Sequence, residues 1–332
     1  MSGNKILVAF VVLAALLGLT VWQFKARDHE DTRDADVAVT LPKVKKEDVA
    51  ELSIAAPEKG AVAFKKVDNK WRMTAPMDSD ADPSSVDTAL SKLAELEVIG
   101  VAATKKENHE SLEVTDAKGI HVTAKGADKN LIDVLIGLYR SGNTIVRDPK
   151  SDVAAVTKGS IRYAFDKVLK DWRDKAISPL TAEQVSSITF ENKEGKYTFN
   201  KEGTEWKQAP GDKKLPQFES GKIVSLVGTA TSMRATDFAP DDVTADAAGV
   251  GAKPVGKVTL ISSGDAGSQQ VVLFAGNKRD DGYYLKSADK TPIFVVSDFG
   301  GSRMLSGPDK FQKDAPGKTV EVNPIASKKV KK

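Results

Sequence analysis

The sequence contains no cysteine among its 332 residues. This absence excludes disulfide bonds, thiolate metal sites, a cysteine nucleophile and a lipid-anchored cysteine. It does not assign a compartment, because a chain without thiols is suited to both oxidising and reducing surroundings. Stability and any chemistry must therefore come from the other side chains.

Histidine is scarce as well, with His29, His109 and His121 the only three in the chain. His29 lies in a charged stretch, His109 lies in "KKENHES", which predicts a solvated loop, and His121 alternates along a predicted strand. No two of them have the spacing of metal ligands, although a site made of carboxylates alone stays open. We therefore expect no histidine-based metal site and no cofactor.

The short motifs that carry chemistry are all incomplete. Asp78, Asp80 and Asp82 have the spacing of a calcium loop, but Pro83 and Ala89 stand where that loop needs glycine and glutamate. We therefore expect Asp82 to cap a helix. Three other fragments each lack a required glycine or a helical setting: Gly317–Thr319, Gly300–Met304 and the pair Ser287 and Lys290. The sequence thus assigns no catalytic residue and no metal ligand.

The net charge of +3 comes from the C-terminus, because four of the last five residues, 328–332, are lysines. Subtracting those four leaves −1 for the rest of the chain. The body therefore lacks the broad basic face that binds nucleic acid. We interpret residues 317–332 as a basic tail, which is solvated or touches anionic lipid.

One long apolar run stands at the N-terminus. Ile6–Trp22 contains 17 residues without a charge, a length of about 25 Å as a helix, near the minimum for a bilayer. It predicts an uncleaved membrane anchor over residues 1–25, with the body outside the cytoplasm. A cleaved signal peptide is the alternative. Residues 26–46 are charged and predict a flexible stalk.

Two segments of the chain resemble each other. "FKKVDNKWRMTAP" begins at Phe64 and "FNKEGTEWKQAP" begins at Phe199, so that Trp71 and Trp206 share an offset of 135. Other landmarks recur at offsets of 136 to 140, which is too long a period for a solenoid repeat. We therefore predict two tandem copies of one module, over residues 47–178 and 179–316.

The apolar pattern within each copy alternates between strand and helix. Each copy opens with period-two apolar positions interrupted by glycine-containing turns, which predicts a hairpin. At helical spacing the first copy then has Val86, Leu90, Leu93 and Leu96, and the second copy, less clearly, Ile223, Leu226, Val227 and Ala230. More strands follow, and "SIRYAFDKVLKDW" predicts a helix that joins the copies. The expected fold class is α+β, with mainly antiparallel sheets.

Trp71 and Trp206 are the weak candidates for ligand binding, for example by stacking on a sugar ring. The alternative, which we favour, is an aromatic plug between hairpin and helix, because a tryptophan buries a large apolar area. Their matched positions in both copies suit packing at least as well as binding.

The combined pattern resembles a known family. Trp71 with a proline five residues later, the amphipathic helix, a strand ending in glycine and "WRDKAI" from Trp172 to Ile177 are similar to the domain of unknown function 4340. The resemblance implies a bacterial inner-membrane protein with its bulk in the periplasm. It also implies other envelope proteins as partners, including an ABC-type transporter, and it supplies no catalytic residues.

These observations favour a membrane-anchored, non-enzymatic binding or scaffold component of a cell-envelope or transporter-associated complex. The alternative is an envelope enzyme that acts on glycan or lipid through a carboxylate site. A periplasmic protein with a cleaved signal, or a purely structural spacer, also fits the sequence.

Overall fold

The computed structural model describes residues 39–263 and 267–314. The predicted anchor, most of the predicted stalk and the basic tail lie outside these residues. Among the described residues, no helix is both long and apolar enough to cross a membrane. The chain divides into two compact units, of which the first ends at Asp174 and the second begins at Lys175.

The first unit contains one nine-stranded antiparallel sheet in the order β4-β3-β2-β1-β6-β7-β8-β9-β5. Its helices are α1 (Pro83–Ala94) and the single turn α2 (Leu169–Trp172). Its strands are β1 (Glu51–Ala56), β2 (Gly60–Val67), β3 (Lys70–Ala75), β4 (Ser79–Asp80), β5 (Val98–Ala103), β6 (Ile120–Lys125), β7 (Asn130–Arg140), β8 (Asn143–Arg147) and β9 (Ala154–Lys158).

The second unit contains one eight-stranded antiparallel sheet in the order β12-β11-β10-β14-β15-β16-β17-β13. Its helices are α3 (Ser220–Ser232) and α4 (Asp298–Met304). Its strands are β10 (Val185–Asn192), β11 (Gly195–Glu202), β12 (Glu205–Gln208), β13 (Asp237–Phe238), β14 (Gly256–Ser262), β15 (Gln269–Arg279), β16 (Gly282–Ser287) and β17 (Phe294–Val296).

The two sheets have the same strand order once β4 is set aside. In each unit three opening strands run outward to one edge, the strand after the long helix forms the other edge, and four later strands lie between. The prediction of an α+β fold with mainly antiparallel sheets is confirmed. In both units the long helix packs against the opening strands and buries one face.

The buried faces of α1 and α3 correspond residue by residue. Each residue that α1 buries has a buried counterpart in α3, and the two members of every pair are 137 residues apart in the chain. The pairs are Val86 and Ile223, Ala89 and Leu226, Leu90 and Val227, and Leu93 and Ala230. The helical periodicity in the sequence predicted the buried face of both helices correctly except at Leu96. That residue lies beyond the end of α1 at Ala94 and is only partly buried.

Helix α1 begins as the sequence predicted. The Asp82 side chain accepts a hydrogen bond of 2.8 Å from the backbone N–H of Ser85, and Pro83 occupies the first helical turn. The cap satisfies one of the N–H groups that a helix start leaves without an intrahelical partner. In α3 the corresponding residue, Glu219, makes no such bond.

We expect Asp82→Ala to lower the free energy of unfolding of the first unit by about 1 kcal/mol, the usual value of an N-cap. Asp82→Asn should retain most of the stability, because the amide oxygen can still accept the bond. Glu219→Ala is the matched control and should change stability little. Equilibrium unfolding of the full chain measures all three. A loss in Asp82→Asn as large as in Asp82→Ala would show that charge, not capping, matters.

The helix predicted for "SIRYAFDKVLKDW" is wrong. The segment forms a 3-10 turn at Arg162–Ala164 and the single turn α2, and Val168 between them is extended. Phe165 and Trp172 are nevertheless both buried, and the Trp172 ring lies 5.3 Å from that of Phe64. The helical spacing of the apolar residues therefore reflects the burial of Phe165 and Trp172 by two separate turns, which can bury residues at the same intervals as one helix.

The described end of the predicted stalk packs against the first unit. Val44 is only 4% exposed, and Val39 and Leu41 contact the same core. The packed part of the first unit therefore begins before residue 47.

A candidate binding cleft in the second unit

The two candidate tryptophans occupy the same register but different depths. Trp71 pairs with Lys66 and Trp206 pairs with Lys201, each one step from its hairpin turn. Trp206 is buried in the core of the second unit, whereas Trp71 is partly exposed and packs at the margin of the first core. Each side chain packs with the core of its own unit.

The aspartates with calcium-loop spacing have a different partner. Arg72 donates to Asp78 at 2.8 Å and to Asp80 at 3.0 Å. The hydrogen bond that Arg72 donates to Asp78 raises the pKa of Arg72 above its ordinary value. Within residues 39–263 and 267–314, no three histidine, aspartate or glutamate side chains gather as metal ligands would.

His109 is not solvated, contrary to the sequence prediction. Its side chain is 3% exposed, and Nε2 lies 2.7 Å from the carbonyl oxygen of Asp152. Nothing in "KKENHES" indicates this contact, because the partner is 43 residues away. His121 lies on β6, as predicted, and its Nε2 lies 2.6 Å from Asp133 Oδ1 on the neighbouring strand β7. His29 lies outside the described residues.

The remaining motif fragments do not assemble into sites. The hydroxyl of Ser287 donates to Asp289, whereas Lys290 Nζ donates to the carbonyl of Ala176 at 2.7 Å. Gly300–Met304 is helical and forms most of α4, so it makes no nucleophile turn. Gly317–Thr319 lies outside the part of the chain that the structure describes.

A cleft of about 330 Å³ opens beside α3 and α4 in the second unit. Lys222 and Ser225 of α3 line one side, and Phe299 and Arg303 of α4 line the other. Phe299 is 64% exposed, so that the cleft presents an accessible aromatic ring on this side. Three polar residues complete the rim: Asp309, Lys310 and Asp314.

Two hydroxyl groups and an aromatic ring hold Arg303 in position at the wall of this cleft. Its Nη1 donates to Ser225 Oγ at 2.7 Å and to Thr229 Oγ1 at 3.1 Å. Its guanidinium carbon lies 4.2 Å from the centre of the Phe299 ring, within the range of a cation–π contact. Helical spacing produces this contact, because residues four apart share a helix face.

The other charges of the cleft are paired. Lys222 Nζ lies 3.0 Å from Asp314 Oδ2, and Lys310 Nζ lies 3.6 Å from Asp309 Oδ2. The sequence at Gly300–Met304 indicates only an incomplete nucleophile turn. No local pattern there reveals the cleft, because the partners of Arg303 on α3 are 78 and 74 residues away.

Comparison with known proteins gives a family but no characterised relative. No curated protein matches the chain, and no solved structure matches it. The family described as "Domain of unknown function (DUF4340)" matches residues 71–248, which is just over half of the chain. This single match begins at Trp71 and crosses the boundary between the two units, so it does not itself distinguish two copies. The chain belongs to the DUF4340 family.

Proposed function

We propose that this chain is a membrane-anchored, non-enzymatic binding component of a cell-envelope complex. Its anchor is Ile6–Trp22, and its two folded units lie in the periplasm of a bacterial cell. The uncharged 17-residue run in the sequence supports the anchor. An ABC-type transporter is the partner class that the family resemblance suggests.

We also propose that the two units are copies of one module. The shared strand order supports this, and so does a local feature that strand order does not require. Leu112 N–H donates to Asn108 and Val114 N–H to His109; the same two bonds recur 136 residues later. The later bonds run from Ala248 to Thr244 and from Val250 to Ala245.

The observation that carries the binding role is the exposed Phe299 ring under a fixed Arg303. Aromatic residues, phenylalanine included, and arginine are enriched at protein interfaces, and arginine is among the residues that most often dominate the binding energy. The alternative, an enzyme with a carboxylate site, draws no support from this cleft, because Asp309 and Asp314 are each paired with a lysine.

We expect a photo-crosslinking residue at position 299, in place of Phe299, to capture an envelope protein in living cells. The matched control is position 255, because Val255 is also exposed and lies in the same unit. Mass spectrometry of the adducts identifies the captured protein. The adduct and the chain itself should remain with membranes after a carbonate wash.

Deleting residues 1–26 should release the chain from the membrane and reduce the adduct. Equal capture at positions 299 and 255 would argue against a specific surface. A full-length chain that leaves the membrane on washing, or a mature N-terminus after residue 24, would contradict the anchor.

A further inference from the structure

Arg303 uses only one of its guanidinium nitrogens for hydrogen bonds to the described residues. Among the described residues, Nη1 makes both of its side-chain hydrogen bonds, and both acceptors are neutral hydroxyls. Over the described residues, Nε and Nη2 have no partner within the protein, and these two atoms form the edge that grips a carboxylate in a bidentate way. The hydroxyls and the Phe299 ring hold this edge in place before any ligand arrives, which lowers the entropy cost of binding.

The first unit arranges the corresponding region differently. It packs its helix α1 with the same buried positions that α3 uses, at an offset of 137. After its last strand its Arg162 pairs with the carboxylate of Glu113 at 2.8 Å. Arg303, which follows the last strand of the second unit, instead has two hydroxyl partners among the described residues.

The charge of the cleft favours a single negative charge on the ligand. Lys222, Lys310 and Arg303 carry three positive charges, and Asp309 and Asp314 carry two negative ones. Because the two lysines pair with the two aspartates, one net positive charge remains, on Arg303. A carboxylate matches this charge, whereas a phosphate dianion exceeds it and is disfavoured by the two aspartates that also line the cleft.

The exposed Phe299 ring favours a ligand that has an apolar group next to its carboxylate. Because the ring is exposed next to the guanidinium, the group that carries the carboxylate must also cover an apolar surface. The cleft volume of about 330 Å³ lies at the lower end of the range for small-ligand pockets. It therefore suits one or two side chains of a peptide and not an extended polymer unit.

From these features we infer that the cleft binds an acidic side chain of a partner protein, with an apolar neighbour on Phe299. Arg303 grips the carboxylate through Nε and Nη2, and the apolar neighbour excludes water from this ion pair. This inference rests on the proposed binding role and specifies its chemistry.

The test uses the full-length chain in detergent micelles, labelled with ¹⁵N-arginine, and follows the Nε–H signal of Arg303 by NMR. The probe is N-acetyl-Leu-Glu-Leu-amide, and its neutral match is N-acetyl-Leu-Gln-Leu-amide. The glutamate peptide should shift the signal saturably. The glutamine peptide should need about tenfold higher concentrations or more, because it loses the charge-assisted bonds.

Three variants separate the effect of the paired donors Nε and Nη2 from the effect of the positive charge. Binding is followed through the NMR signals of the peptide. Arg303→Gln should abolish the difference between the two peptides. Arg303→Lys retains the positive charge but lacks the two parallel N–H donors, so it should weaken binding of the glutamate peptide about tenfold. Arg279→Gln is the matched control, because Arg279 also lies over a ring, that of Tyr284, but already pairs with Asp281 at 3.1 Å. It should leave binding unchanged.

Equal binding of the two peptides, unchanged binding in Arg303→Gln, or a tighter response to inorganic phosphate than to the glutamate peptide would each overturn the inference. If position 299 captures a partner but the glutamate peptide does not bind, the carboxylate assignment fails and the binding role stands. If the peptide binds but no envelope protein is captured, the binding role fails on its own.

Discussion

Trp206→Ala should lower the free energy of unfolding of the second unit by about 3–5 kcal/mol, the usual loss when a buried large aromatic is truncated. The side chain is only 4% exposed and belongs to the core that includes Phe199 and Ile223. Because domains are stable by only about 5–15 kcal/mol in total, the loss is a large part of the whole.

Trp71→Ala is the matched variant and should cost the first unit clearly less. Trp71 has the same register on its hairpin but is partly exposed, so that truncation removes less buried area and leaves no enclosed cavity. Hydrogen exchange of the full chain, read by mass spectrometry on peptides from each unit, measures both effects separately. Equal losses in the two variants would show that exposure does not set the cost, and an unchanged second unit in Trp206→Ala would refute the packing account.

Local patterns in the sequence were sufficient for most of the fold. The opening hairpin of each unit, the cap at Asp82 and the buried faces of α1 and α3 depend on neighbours within a few residues. Such features are encoded locally, so that periodicity and capping rules predict them. The antiparallel pairing of these opening strands follows from the short turns that join them.

Long-range contacts account for the predictions that failed. The segment from Ile161 to Trp172 has helical spacing, but tertiary burial of Phe165 and Trp172 decided its shape. His109 is buried by a carbonyl 43 residues away, and Arg303 meets Ser225 across 78 residues. Neither contact leaves a periodic trace in the sequence, so the cleft could be found only once α3 and α4 were seen side by side.

Two glycines occupy equivalent crowded positions, one in each unit. A Cβ on Gly276 would lie 2.2 Å from the carbonyl oxygen of Ala248 and 2.7 Å from Val250 Cγ1. A Cβ on Gly137 would lie 2.4 Å from the carbonyl oxygen of Leu112 and 2.6 Å from Val114 Cγ1. In both units the next residue donates its N–H to that same carbonyl, so the strand and the loop cannot separate without losing a hydrogen bond.

We therefore expect Gly276→Ala to destabilise the second unit, and Gly137→Ala the first, by about 3 kcal/mol each, at the upper end of the usual cost of overpacking. Gly228→Ala is the matched control, because a Cβ on this α3 residue meets nothing within 4 Å. It should be neutral or stabilising by up to about 1 kcal/mol, since alanine is the better helix former. Unit-resolved hydrogen exchange of the full chain measures all three variants.

Comparable losses, each confined to its own unit, would support a common origin of the two modules. A Gly276→Ala chain as stable as the control would mean that the loop over residues 244–250 does not lie against β15.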